Sequence, residues 1–345
     1  VDDTSAEVLN RAAAEDVSMR KVLIATPTLA GLDGPFLDAL RGAGLEVGYP
    51  RQRKALTEDD LLVELDGVAA VIAGMEPYTR RVIEASRGLR VIARNGVGYD
   101  AVDTAAATER GVAVTVTPGV NQESVAEHTF ALMLALARSV VPMHLAIRGG
   151  GWRRDSGVPL RGRTLGLVGL GRIGKEVALR AAAFRMTVLA YDPMPDARFA
   201  DEHRVALVPL DRLLAESDFV SLHLPLAADS RHLIDARALG RMKPTAFLIN
   251  TARGGLVDEA ALAQALRAGG LAGAGLDVFA EEPPRCDSLR GLDNVLCTGH
   301  TAGIDLQSRD DMALLAARAI AALSRGEWPE HLVVNPACRG KFRWT

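Results

Sequence analysis

This sequence predicts two successive α/β domains, each a doubly wound parallel sheet, and three observations carry the prediction. Short apolar runs rich in β-formers alternate with alanine- and leucine-rich helical stretches along nearly the whole chain. A glycine triplet, Gly169, Gly171 and Gly174, falls in the middle of that alternation, so a full set of strand and helix signals precedes it. At 345 residues the chain is longer than one typical core supports. Strands alternating with helices at short spacing form βαβ units and a parallel sheet.

Residues 1–18 are polar and alanine-rich and read as an N-terminal extension. From Lys21 the signals run KVLIAT, a helix near Pro35 to Gly42, LEVGY, a helix from Glu58 to Leu65, and VAAVIAG. They continue through a helix near Thr79 to Ser86, the strand LRVIA, a helix from Ala101 to Arg110, and the strand VAVTV. That is a complete small domain over residues 19–118. Pro118 and Gly119 then break the pattern and mark a hinge. A long helix follows, Ser124 to Arg148, which Pro142 kinks or divides. It is apolar on more than one face, so it must be buried, either inside its own domain or against a second subunit.

Residues 164–192 read as strand, glycine turn, helix, strand and a terminal acid. Thr164 to Leu170 is an apolar run, and the three glycines fit the G-x-G-x-x-G spacing directly after it. In such a turn the first glycine permits the tight bend and the second lets the chain approach a pyrophosphate. The third packs helix on strand, leaving the helix N-terminus aimed at the phosphates. Asp192 ends the second strand, where a ribose 2′-hydroxyl would be bound. A carboxylate there, with no arginine directly after it, favours NAD over NADP because it would repel a 2′-phosphate.

The strands DFVSLHLPL, AFLIN, LAGAGLDVF and NVLCTGH complete a second sheet. Ligands in such folds sit beyond the carboxyl ends of the strands, so His223, Pro225, Thr251 to Arg253, Asp277 and His300 should line one crevice. The last helix, about Leu306 to Arg325, and the tail ending LVVNP belong back on the first domain. The expected organisation is therefore a substrate domain over 19–118 and 305–345, a nucleotide domain over 119–304, and a cleft between them. No third, regulatory domain is expected.

Net charge is −3 with both signs interspersed, which gives no footprint for nucleic acid or a membrane surface. Three cysteines, Cys286, Cys297 and Cys338, are widely spaced without a C-x-x-C, so neither a disulfide framework nor a zinc site is indicated and no metal is expected. The chain opens with acids, and its longest apolar stretch, Phe130 to Ala137, is too short to span a bilayer. A cytoplasmic location is the expectation.

Three polar residues follow strand ends on the nucleotide side: Arg253 in INTARGG, Glu282 in DVFAEEPP and His300 in CTGHTAG. Hydride transfer at a hydroxyl-bearing carbon needs a base for the hydroxyl proton, a group that tunes the base, and a cation for a carboxylate. His300 suits the first role, since histidine titrates near working pH. Glu282 can bond its other ring nitrogen, with Glu281 next door as the alternative acid. Arg253 can clamp a carboxylate with two parallel hydrogen bonds.

NTARGGLVDEAAL, LDVFAEEPP and NVLCTGHTAG resemble the signature segments of the D-isomer-specific 2-hydroxyacid dehydrogenases, and the likeness runs from about Val22 to Pro336. RNGVGYDAVD and SVAEHTFALMLALAR look most like the catalytic core of D-3-phosphoglycerate dehydrogenases. The resemblance implies a flavodoxin-like substrate domain, a Rossmann NAD domain, and Arg253, Glu282 and His300 as the catalytic residues. It implies that Arg94, Asn95, Gly96, Val97 and Gly98 hold substrate through backbone N–H groups. Arg172, Ile173, Asp192, Ala252, Asp277, Ala302 and Gly303 would contact NAD. It also implies a homodimer through the 119–150 region, which tips the long helix towards an interface. One departure is Gly299, where a proline is usual before the histidine.

Two other readings stay open: an NAD-sensing regulator like the corepressors of this family, and a phosphite- or formate-type dehydrogenase. Formate enzymes of the superfamily carry glutamine beside the histidine, so Glu282 argues against that one. The substrate itself is approached through the loop after VAAVIAG. Phosphoglycerate enzymes often supply a cation there, whereas this chain has Gly74 and the acid Glu76, leaving Arg80, Arg81 or Arg94 to compensate. The expectation is a small unphosphorylated 2-oxo acid such as hydroxypyruvate or glyoxylate.

Overall fold

The computed structural model describes residues 20–52, 54–284 and 287–344. The N-terminal extension and Cys286 lie outside the described residues. The chain divides into two compact units, one formed by the segment up to Pro118 with the segment from Asp310 onward, the other by Gly119–Arg309.

In the first unit five strands are all parallel: β1 (Lys21–Ile24), β2 (Glu46–Gly48), β3 (Val68–Ala73), β4 (Val91–Arg94) and β5 (Ala113–Thr115). Their order, β2-β1-β3-β4-β5, is the flavodoxin-like one. Every residue of the central strand β3 is buried, as expected for a strand covered on both faces by crossover helices. Local chemistry sets the helix starts. Thr57 and Asp60 form a reciprocal capping box at Glu58–Glu64, and the Asp103 side chain accepts from Ala106 N–H at Thr104–Arg110. The C-terminal tail lies along β5, where Val116 N–H donates to Leu332 O at 3.0 Å and Val334 N–H to Val114 O at 2.9 Å. Asn335 locks it there, its side chain accepting from Val114 N–H and donating to Val112 O, both at 2.9 Å.

The second unit holds seven parallel strands: β6 (Thr164–Val168), β7 (Thr187–Tyr191), β8 (Ala206–Leu207), β9 (Phe219–Leu222), β10 (Phe247–Asn250), β11 (Gly273–Leu276) and β12 (Val295–Cys297). Their order, β12-β11-β10-β9-β6-β7-β8, is the Rossmann order 3-2-1-4-5-6 with one strand added. The strand order reverses between β6 and β9, and the glycine turn lies at the end of β6, where dinucleotides bind in this topology.

The long helix expected over Ser124 to Arg148 is two helices, Gln122–Ala137 and Val140–Arg148, bent by 63°. The break falls at Ser139, in left-handed conformation with φ 50°, three residues before Pro142. The proline occupies the first turn of the second helix, where its missing N–H costs nothing; its ring excludes a continuous helix through the carbonyl four residues back. The two pieces differ in burial. Gln122–Ala137 buries Val125, Ala126, Phe130, Leu132, Met133 and Ala137, whereas Val140–Arg148 buries none of its residues. Among the described residues no single helix is long and apolar enough to cross a membrane.

Candidate active site

The glycine turn of the second unit shows what each glycine does. Gly169 has φ +109°, and a Cβ there would stand 2.7 Å from the His223 carbonyl. A Cβ on Gly174 would collide with Gly169 O, so the third glycine is set by helix packing. A Cβ on Gly171 would meet nothing within 4 Å. That open space lies at the start of the helix Arg172–Ala183, whose first N–H groups have no intrahelical partner, and it suits a pyrophosphate. Arg172 is exposed at this end, and Ile173 is half-buried against the core.

Asp192 stands directly after β7, the position expected for an acid that bonds a ribose. Its carboxylate is also a clamp on the turn, accepting from Leu170 N–H at 2.7 Å and from Met194 N–H at 2.8 Å. His223 follows β9, and burial pushes its pKa down to about 3, so the ring is neutral. Its Nε2 pairs with Ser221 Oγ at 2.9 Å, while Nδ1 has no partner among the described residues. Pro225 is exposed two residues on.

After β10 the chain turns through Thr251, Ala252 and Arg253. Buried Asn250 shapes the turn: its amide donates to Arg253 O at 2.8 Å and accepts from Ala252 N–H at 3.1 Å. The half-buried Arg253 guanidinium donates to Ala252 O at 2.6 Å, and the Thr251 hydroxyl pairs with Thr129 Oγ1 at 3.1 Å.

His300 and Glu282 meet directly, Nδ1 to Oε2 at 2.7 Å, with side chains 28% and 29% exposed. The other carboxylate oxygen accepts from Phe279 N–H at 3.0 Å, which fixes the acid before it meets the ring. Glu282, rather than Glu281, is thus the histidine's partner. A carboxylate on Nδ1 holds the proton there and leaves Nε2 for a substrate proton. His300 has φ +56°, and its N–H donates to Asp277 O at 2.7 Å.

Asp277 is fully buried, and its carboxylate faces the same loop. It accepts from Thr298 Oγ1 at 2.6 Å, Thr301 N–H at 3.0 Å and Ala302 N–H at 2.8 Å. Ala302 is buried, and a Cβ on Gly303 would stand 2.9 Å from the Asn121 amide. Ser124 and His128, read in the sequence only as part of an apolar helix, also grip this loop. Ser124 Oγ donates to Ala302 O at 2.9 Å, and His128 Nε2 lies 2.9 Å from Thr298 Oγ1. Their i, i+4 spacing was the available signal, masked by the hydrophobic residues around them.

In the first unit, Asn95, Gly96 and Gly98 are half-buried and Val97 is exposed after β4. Arg94, 3% exposed, points back into the fold, donating from Nε to Gly98 O at 2.8 Å and from Nη2 to Met75 Sδ at 3.2 Å. Glu76, 4% exposed, accepts from Gly74 N–H at 2.6 Å and from Tyr78 OH at 3.5 Å. Burial raises its pKa, against the Gly74 N–H and the Arg94 charge.

Residues 130–302 match the profile of the D-isomer specific 2-hydroxyacid dehydrogenase NAD binding domain. A glyoxylate reductase of Korarchaeum cryptofilum is 44% identical over 291 residues, covering 82% of this chain and 86% of that protein. A D-3-phosphoglycerate dehydrogenase of Methanocaldococcus jannaschii is 40% identical over 295 residues, 84% of this chain but only 56% of that longer protein. Among solved structures, D-lactate dehydrogenase from Aquifex aeolicus complexed with NAD and lactic acid superposes with a TM-score of 0.79 at 30% identity, covering 91% of this chain and 99% of that one.

Proposed function

Because the chain belongs to the D-isomer specific 2-hydroxyacid dehydrogenase family, an NAD-dependent class of oxidoreductases acting on CH–OH groups, we propose that its substrate is a small unphosphorylated 2-oxo acid of the glyoxylate or hydroxypyruvate type. The observation that carries this choice is where the first unit's cations go. Arg80 is held by Glu109 at 2.7 Å and Glu84 at 3.2 Å, and Arg81 by Asp59 at 2.9 Å. Arg94 is buried on Gly98 O and Met75. Of the three arginines that could have met a substrate phosphate, Arg94 is buried, and Arg80 and Arg81 are each paired with acids on the surface of the first unit.

NAD, when bound, supplies or accepts the hydride. The chain's own residues do the rest. Gly171 and the N-terminus of Arg172–Ala183 would receive the pyrophosphate and Asp192 the ribose, with Arg172, Ile173, His223, Pro225, Thr251, Ala252, Ala302 and Gly303 as the surrounding shell; Asp277, expected from the sequence to touch NAD, is fully buried and instead shapes the His300 loop from within. Arg253 orients the substrate carboxylate. In the first unit Asn95 N–H is given to Ala73 O at 2.8 Å, which leaves the N–H groups of Gly96, Val97 and Gly98 as that unit's substrate donors. In reduction, His300 Nε2 gives its proton to the carbonyl oxygen, while Glu282 on Nδ1 stabilises the charged ring before transfer and fixes its orientation after it. In oxidation the same nitrogen takes the proton.

The Val140–Arg148 helix leaves Val140, Leu145 and Ile147 between 50% and 58% exposed, with Trp152 80% exposed beyond it. An apolar surface of this kind fits a homodimer through the 119–150 region, contributed by the second helix rather than by the buried Gln122–Ala137. Leu145→Lys with Ile147→Asp should convert a dimer to a monomer in light scattering; an unchanged mass would exclude this face.

The activity test is NADH oxidation by purified protein with glyoxylate and with hydroxypyruvate. Turnover with either is expected. Tight NADH binding with no turnover on a panel of 2-oxo acids would favour the NAD-sensing regulator.

A further inference from the structure

Helix Gln122–Ala137 looks like a pure core element, yet one of its faces grips the loop that carries His300. Ser124 holds Ala302 O at 2.9 Å and accepts from Asp305 N–H at 3.2 Å. Four residues on, and so on the same face, His128 reaches the other side of that loop, with Nε2 2.9 Å from Thr298 Oγ1 and 3.6 Å from Asp277 Oδ1. The direction of the bonds follows from counting hydrogens. Thr298 has one hydroxyl hydrogen, and the carboxylate of Asp277 at 2.6 Å accepts it. The Thr298 oxygen must therefore accept from His128, which assigns the Nε2–H tautomer to that ring.

The chain runs from His128 through Thr298 to Asp277, and from there to the N–H groups of Thr301 and Ala302. His300 sits between Thr298 and Thr301 in a left-handed conformation, its own N–H held by Asp277 O. A non-glycine residue stays in that conformation only where its neighbours over-determine it. The Asp277 side chain is 1% exposed, so water cannot take over its bonds. A Cβ on Gly299 would meet nothing within 4 Å, so the residue before the histidine adds no packing constraint of its own.

We propose that His128 and Thr298 are positioning residues, which act through Asp277 to hold His300 against Glu282. This rests on the reading of His300 as the acid/base, and the relay can be tested with and without turnover. His128→Leu and Thr298→Val remove the hydrogen bonds while keeping bulk; His128→Gln and Thr298→Ser keep them. With hydroxypyruvate and NADH, the first pair should lower kcat about tenfold, the scale of a modest misplacement of a reacting group, with NADH Kd changing less than about threefold. The second pair should recover most of the loss. His128→Leu combined with Thr298→Val should be no worse than Thr298→Val alone, because both break one chain. Hydrogen exchange at residues 298–303 should be faster in His128→Leu and Thr298→Val, and close to wild type in the conservative variants. Additive losses in the double variant, or a kcat within about twofold of wild type in His128→Leu, would overturn the relay. If the wild type reduces no 2-oxo acid, the functional reading fails instead, and exchange alone decides: protection unaltered in both disruptive variants overturns the relay.

Discussion

An arginine and a glutamate stand at or beyond strand ends in each of the two units, and the two pairs are used in opposite ways. In the first unit Arg94 and Glu76 are buried, bonded to Gly98 O, Gly74 N–H and Tyr78, and serve the shape of the loops after β3 and β4. In the second unit Arg253 is half-buried beside the glycine-turn domain's strand ends, and Glu282 shares with His300 a contact more than a quarter exposed. Burial decides the difference. A charge taken out of water must be satisfied internally, which makes it a structural element, whereas a partly exposed group keeps capacity for a ligand.

Replacing the second unit's polar groups should therefore cost activity, and the largest loss falls on the acid/base. His300→Ala should lower kcat by about 10²-fold or more while NADH binding, measured by fluorescence titration, stays near wild type. Arg253→Ala should follow, with kcat/KM for the oxo acid down roughly ten- to a hundredfold from the loss of one charge-assisted hydrogen bond. Glu282→Gln keeps a group of the same shape on Nδ1 but removes the counter-charge to the protonated ring. In reduction of the oxo acid kcat should fall about tenfold, and a kcat within about twofold of wild type would detach Glu282 from the mechanism.

The smallest effect concerns the first unit and is one of stability. Glu76 has its pKa raised by burial, so the folded state holds its proton to higher pH than the unfolded state does. Its contribution is fully present below the ordinary value of 4.5 and is lost as pH rises through the raised one. The stability of wild type minus that of Glu76→Gln should therefore fall with rising pH in chemical denaturation; a difference that grows with pH reverses the argument.

Much of the fold was legible because strand and helix differ in hydrophobic period and because Gly and Pro punctuate the joins. The break at Ser139 was not, since a left-handed serine leaves no mark in composition and Pro142 drew attention three residues too late. β8, two residues long, is below what periodicity can register. In the site, the glycine triplet, Asp192, Arg253 and His300 carried their own signals. Glu281 and Glu282 could not be separated, because the choice depends on which side chain the Phe279 N–H orients. Arg94 read as an available cation because burial is a property of the fold, and Ser124 and His128 were hidden by the apolar residues around them.

The choice of an unphosphorylated substrate rests on Arg80, Arg81 and Arg94 pairing within the first unit, and two substrates that differ only by a phosphate test it most directly. Steady-state kcat/KM with NADH should be higher for hydroxypyruvate than for 3-phosphohydroxypyruvate. The opposite order would contradict the account, and would mean that Arg80, Arg81 or Arg94 leaves its present partners to bind the phosphate.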